Sequence, residues 1–131
     1  MPDDLRQSNE VRALQGDCPV RPLLDRMADK WTLLVILHLS QSALQKQRFS
    51  ELMRGINGVS QRMLTSTLRN LERDGLVVRE VFAEVPPRVE YTLTPRGHSF
   101  LIPARALITW LEDNWPDIQV SRAEYDEGRT G

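Results

Sequence analysis

The chain has 131 residues and a net charge of −1, enough for one compact domain with a true core. No apolar run is long enough to span a bilayer, and the acidic, polar opening MPDDLRQSNE does not read as a secretory signal. A single cysteine excludes an internal disulfide framework and fits a reducing cytoplasm.

In chain order, residues 1–10 read as a flexible segment, 11–116 as the folded domain and 117–131 as a polar tail. Residues 29–39 form a core helix. Trp31, Leu34 and Val35 share a face with His38, while Leu33, Ile36, Leu37 and Leu39 carry apolar surface almost all the way round, so burial on most sides is expected. His38 reads as a packed or capping residue. His98 has no Cys, Asp or second His at ligand spacing, and neither a metal site nor a cofactor is expected. Residues 48–56 read as a short helix with Ser50 at its N-cap, where Phe49 and Met53 would pack as a hydrophobic staple. Asn57-Gly58 then marks a turn.

The next helix opens at Ser60, whose hydroxyl suits an N-cap, and stops at Asp74-Gly75. Leu64, Leu68 and Leu71 recur at helical spacing and form its inner stripe, while Arg62, Ser66, Arg69 and Arg73 form an outer stripe with no acid among them. Alone, such a helix reads equally well as a solvated surface helix. The short helix and glycine turn before it, and two strand-like runs after it, make the pattern that of a winged helix-turn-helix whose second helix fits the DNA major groove. The runs are 77–82 and 88–93; in the second, Val89, Tyr91 and Leu93 alternate with Arg88, Glu90 and Thr92. Pro86-Pro87 stiffens the loop between them. The expected fold is therefore α+β and mostly helical. The expected DNA-facing residues are Ser60, Gln61, Arg62, Thr65, Ser66 and Arg69, with Arg73 on a phosphate. Arg88, near the hairpin tip, is open to two readings: a groove or phosphate contact, or an ion pair with Glu84 or Glu90.

Thr94-Pro95 opens a last helix, which Pro103 should kink and Pro116 should close after Trp115. Phe100, Ala104, Leu107 and Leu111 make one apolar stripe; Leu101, Ile108 and Trp115 make a second, with Trp110 beside it. One stripe can cover the domain's own core and the other needs a partner, so a dimer interface through Leu101, Ile108 and Trp115, helped by Val11 and Leu14, is expected. Charge divides along the same lines. Residues 44–96 hold nine Lys or Arg against six Asp or Glu, net +3, and the remainder holds eight against twelve, net −4. Positive charge thus gathers where phosphate contact is expected.

Cys18-Pro19-Val20, Asp29-Lys30-Trp31-Thr32-Leu33-Leu34, Arg48-Phe49-Ser50-Glu51-Leu52, Val59-Ser60-Gln61-Arg62-Met63-Leu64-Thr65 and the run from Pro86-Pro87-Arg88 to Thr92-Leu93-Thr94 follow in order. Over about residues 15 to 115 the chain resembles the HxlR-type winged-helix transcriptional regulators, relatives of the MarR-like group. It departs from them at Asp29, where a small residue is usual, and in a slightly longer stretch from Ser42 to Gln47. The resemblance implies a cytoplasmic homodimeric regulator, read here as a repressor, on a pseudo-palindromic double-stranded DNA operator. It also implies a role for Cys18, since in several members a cysteine in this Cys-Pro context senses oxidants or electrophiles. Pro19 suits the first turn of a helix, leaving Cys18 at a helix N-terminus where the dipole and Arg21 favour the thiolate, although Asp17 opposes it. The other reading is an inert thiol packed at the dimer seam.

Two further classes of function stand beside this one. A winged helix can serve purely as a protein-interaction module. An enzyme fits least, for the sequence has no acid–base–nucleophile set and no glycine-rich phosphate loop.

Overall fold

The computed structural model describes residues 10, 11, 15 and 20–130. Cys18 and Leu14 lie outside the described residues. By internal contacts the chain divides into two units, Met1–His98 and Ser99–Gly131.

The first unit contains α1 (Val20–Met27), α2 (Lys30–Gln41), a 3-10 turn (Ala43–Gln45), β1 (Lys46–Arg48), α3 (Phe49–Gly55), α4 (Gln61–Arg73), β2 (Val77–Phe82) and β3 (Arg88–Leu93). Helix α5 (Pro95–Ser99) follows. Asp29, the departure from the family pattern, is the N-cap of α2. Its carboxylate accepts from the backbone N–H groups of Trp31 at 3.0 Å and Thr32 at 3.2 Å, satisfying donors that a small residue would leave to water. Helix α2 is less enclosed than its composition suggests. Thr32, Val35, Ile36 and Leu39 are buried, whereas Leu34 is exposed. One face suffices to anchor it.

Val35, Ile36 and Leu39 share the core with Leu52 and Ile56 of the α3 region, Leu64, Leu68 and Leu71 of α4, and Leu76, Val77, Tyr91 and Leu93 of the sheet. The inner stripe of α4 is thus the one its leucine spacing gives. Helix α3 begins two residues earlier than the Ser50 cap implies. Its N-cap is Arg48, whose backbone N–H donates to Oε1 of Glu51 at 3.1 Å. An acid at the third helical position does the capping here, with no hydroxyl needed.

The sheet has three antiparallel strands in the order β1-β3-β2. β2 and β3 pair from Val77 opposite Leu93 to Phe82 opposite Arg88. Strand β1 has no apolar alternation and pairs along β3, with Lys46 opposite Thr92 and Arg48 opposite Glu90. The longer stretch before it is taken up by the 3-10 turn, where Leu44 (φ 60°) and Gln45 (φ 53°) adopt the left-handed conformation. Thr94 caps α5: its hydroxyl accepts from Gly97 N–H at 3.1 Å and donates to the Gly75 carbonyl at 2.6 Å.

The second unit is α6 (Leu101–Thr130), and it corrects several expectations. The break falls at Phe100, before Pro103, which therefore sits in the first turn where its missing N–H costs no helical bond. Pro116 lies inside the helix and does not end it; it removes one ladder bond, and the flanking turns carry the helix on to Thr130. The polar residues 117–130 are accordingly helical and not loosely ordered. Leu101 is buried, at 3% exposure, and offers no surface to a partner, against the expectation that it joins a dimer seam. Ile108 is half-buried, and Leu111 and Trp115 are exposed.

Candidate nucleic-acid interface

Helix α4 presents the expected face. Ser60 accepts from Met63 N–H at 3.1 Å as its N-cap, and Gly75 takes a left-handed φ of 81° beyond the C-cap Asp74. Between these stops Gln61, Arg62, Thr65, Ser66, Arg69 and Arg73 are all exposed. The first five of that row border one open concavity of about 600 Å³. Arg62, Arg69 and Arg73 form no ion pair or hydrogen bond with any described residue. Three guanidinium groups on one helix with no acid to neutralise them form a surface suited to phosphates and purine edges.

The C-terminal end of α4 is tied down. Both carboxylate oxygens of Asp74 accept from Arg26 of α1, at 2.9 and 3.2 Å. This hydrogen-bonded pairing raises the Arg26 pKa further above the arginine value, so the guanidinium keeps its charge. The preceding turn is fixed by its backbone: Gly58 has φ 86°, a left-handed conformation that favours glycine, and the Trp31 ring lies in ordinary contact beside it.

The wing separates the two readings of Arg88. Its Nη1 lies 3.3 Å from Glu84 Oε1, its Nε lies 3.4 Å from Glu90 Oε1, and its guanidinium stacks 4.2 Å from the centre of the Phe82 ring. The Nε contact is an ion pair without hydrogen-bond alignment. At 26% side-chain exposure Arg88 braces the hairpin, and the fully exposed tip is Val85. The alternation pattern could not choose between these partners and DNA. The histidines also have protein partners. His38 Nδ1 is 3.0 Å from Gln47 Oε1, and its ring occupies the space a side chain at Gly55 would need. His98 Nδ1 is 3.1 Å from Gln45 Nε2. Among the described residues no cluster of His, Cys, Asp or Glu could hold a metal ion.

The model of the HxlR-like helix-turn-helix family matches residues 26–119. The chain belongs to that family. An HTH-type transcriptional regulator of Escherichia coli K12, YtfH, is 37% identical over 119 residues, covering 91% of this chain and 92% of that protein. The solved structure of the putative transcriptional regulator ytfH from Salmonella typhimurium superposes with a TM-score of 0.74 at 37% identity, over 82% of this chain and 93% of that one. The redox regulator HypR in its oxidized form gives a TM-score of 0.63 at 41% identity, over 74% and 97% of the two chains. The HxlR-like match ends at residue 119, so the last turns of α6 extend beyond it.

One residue of this HxlR-like fold escaped the motif reading. Arg79 of β2 stands opposite Tyr91 of β3 and shares its row with Val77, which is buried. A basic residue in an otherwise apolar strand row was the available signal.

Proposed function

We propose that this helix-turn-helix transcriptional regulator represses its targets as a homodimer, with two copies of α4 seated in successive major-groove half-sites of a pseudo-palindromic operator. The observation that carries the reading is the outer face of α4, where Arg62, Arg69 and Arg73 lie exposed and without protein partners beside Gln61, Thr65 and Ser66. Gln61, Arg62, Thr65 and Ser66 read base edges, and Arg73 meets a phosphate. The dimer is supported by the large side chains α6 leaves exposed, Leu111 and Trp115 among them, and by Val11, which is 50% exposed. The role is binding, with no catalytic step, and its place is the cytoplasm. No described helix is long and apolar enough to cross a membrane.

Arg62→Ala is expected to weaken binding to an operator selected from genomic fragments by about 1–3 kcal/mol, and binding to random duplex by much less. Titrations on both DNAs at fixed salt check this. Equal losses would make Arg62 a phosphate contact. No salt-dependent binding to any duplex would leave the fold as a protein-interaction module.

Cys18 is the proposed effector site, supported by the likeness to HypR, whose solved forms are titled oxidized and reduced. As the chain's single cysteine it would join either the same residue of a second subunit or a small thiol. Two thiols lose two protons and two electrons to the oxidant and form one S–S bond. Titrating operator-bound protein with diamide is expected to release the wild type at a dose that leaves Cys18→Ser bound. Release of both at the same dose, or of neither, would sink the redox role.

A further inference from the structure

Helix α4 and strand β2 meet at a second cavity of about 310 Å³, lined by Thr65, Arg69, Glu72, Arg79 and Tyr91. Arg69 comes from the exposed face of α4. Arg79 reaches the same space from the sheet, because its register opposite Tyr91 sets both side chains on the face that packs toward the helix. Neither guanidinium forms an ion pair or hydrogen bond with a described residue, even though Glu72 lines the same cavity. Tyr91 is 8% exposed and borders the cavity, and its hydroxyl has no hydrogen-bond partner among the described residues. The lining therefore offers two cations and two hydroxyl donors against one carboxylate. Thr65, Arg69 and Arg79 are exposed and so open to an incoming anion, with the buried Tyr91 ring behind them. A tetrahedral oxyanion suits the set: a planar guanidinium from each side pairs with its oxygens, and the neutral hydroxyls complete them.

We propose that Arg79, with Arg69, Thr65 and Tyr91, forms a seat for one backbone phosphate of the bound DNA, at the junction of the reading helix and the wing. This deepens the DNA-binding reading above and rests on it. The seat reassigns Thr65 and Arg69 from base edges to the backbone and makes Arg79, a residue outside the helix-turn-helix motif, a positioning contact. A phosphate held from both elements fixes the depth and tilt of α4 in the groove, while carrying no sequence information itself. The competing explanation for a charge in the inner row of an edge strand is protection against strand-to-strand pairing.

The experiment measures binding of full-length protein to random-sequence duplex and to a selected genomic fragment over a range of salt, for wild type, Arg79→Gln and Tyr91→Phe. Arg79→Gln is expected to lower the slope of log affinity against log salt by about 0.9, one phosphate equivalent, and by the same amount on both DNAs. Its thermal midpoint should stay at the wild-type value. Tyr91→Phe keeps the buried ring and loses a neutral donor, so a several-fold weaker affinity with an unchanged slope is expected. Inorganic phosphate at millimolar concentration should compete no better than an equal ionic strength of chloride; selective competition would assign the seat to a free anion instead. An unchanged slope for Arg79→Gln, with or without a lower midpoint, overturns the proposal. If wild type itself binds neither DNA, it is the DNA-binding reading that fails.

Discussion

Aspartate in place of Ile108 is expected to yield monomers that bind the operator about 10²-fold or more weakly. Ile108 lies half-buried on α6, one turn from the exposed Leu111 and two from Trp115, in a row spaced by three and four residues. Such a row on a continuous helix is the seam through which helices pack against one another. A carboxylate placed there without a partner charge costs several kcal/mol of association free energy. Separating the subunits turns the second half-site encounter from intramolecular into bimolecular, and the linkage forfeited is typically worth 10²–10⁴-fold. Sedimentation and operator titration at matched subunit concentration measure both effects. Trp115→Glu is the companion variant, because that side chain is 48% exposed and its replacement leaves the fold undisturbed. Dimers that persist in both variants would place the seam elsewhere.

Gly97→Ala should give the largest loss of fold stability among single-methyl changes. A Cβ at Gly97 would overlap the carbonyl oxygen of Leu76 and press on Cδ2 of Leu93 at 2.9 Å. The Leu76 carbonyl is not free to swing aside, since it accepts from Thr94 N–H at 3.0 Å and holds the start of α5 against the end of α4. Overpacking against a pinned backbone costs about 1–3 kcal/mol or more, and in a chain of this size each kcal/mol lowers the midpoint by roughly 4 °C. Thermal unfolding followed by circular dichroism reads the shift. A midpoint within a degree of wild type would refute the close approach.

Most of the interface was legible because its signals are local. The Leu64-Leu68-Leu71 period, the Ser60 cap and the Asp74-Gly75 stop act within one helix, and β3 announces itself by alternation. Strand β1 gave no such sign: Lys46, Gln47 and Arg48 are strand only because β3 lies beside them. Arg88 was readable as far as its three candidate partners and no further. Arg79 was invisible to motif reading because its meaning depends on a register across the sheet and on the helix before the strand. At Pro103 and Pro116 a general rule about proline met local context: the first is harmless in an opening turn, and the second removes one bond from a helix that has many others.

Helix α1 buries none of its residues, and the ion pair that reaches it, Arg26 with Asp74, ends on the C-cap of the reading helix. Partly exposed pairs of this kind hold weakly, because solvent screens them. The segment just ahead of the reading surface is thus on a leash whose other end is knotted to that surface. The end of the reading helix is tied at the protein surface, apart from the leucine core that fixes its middle.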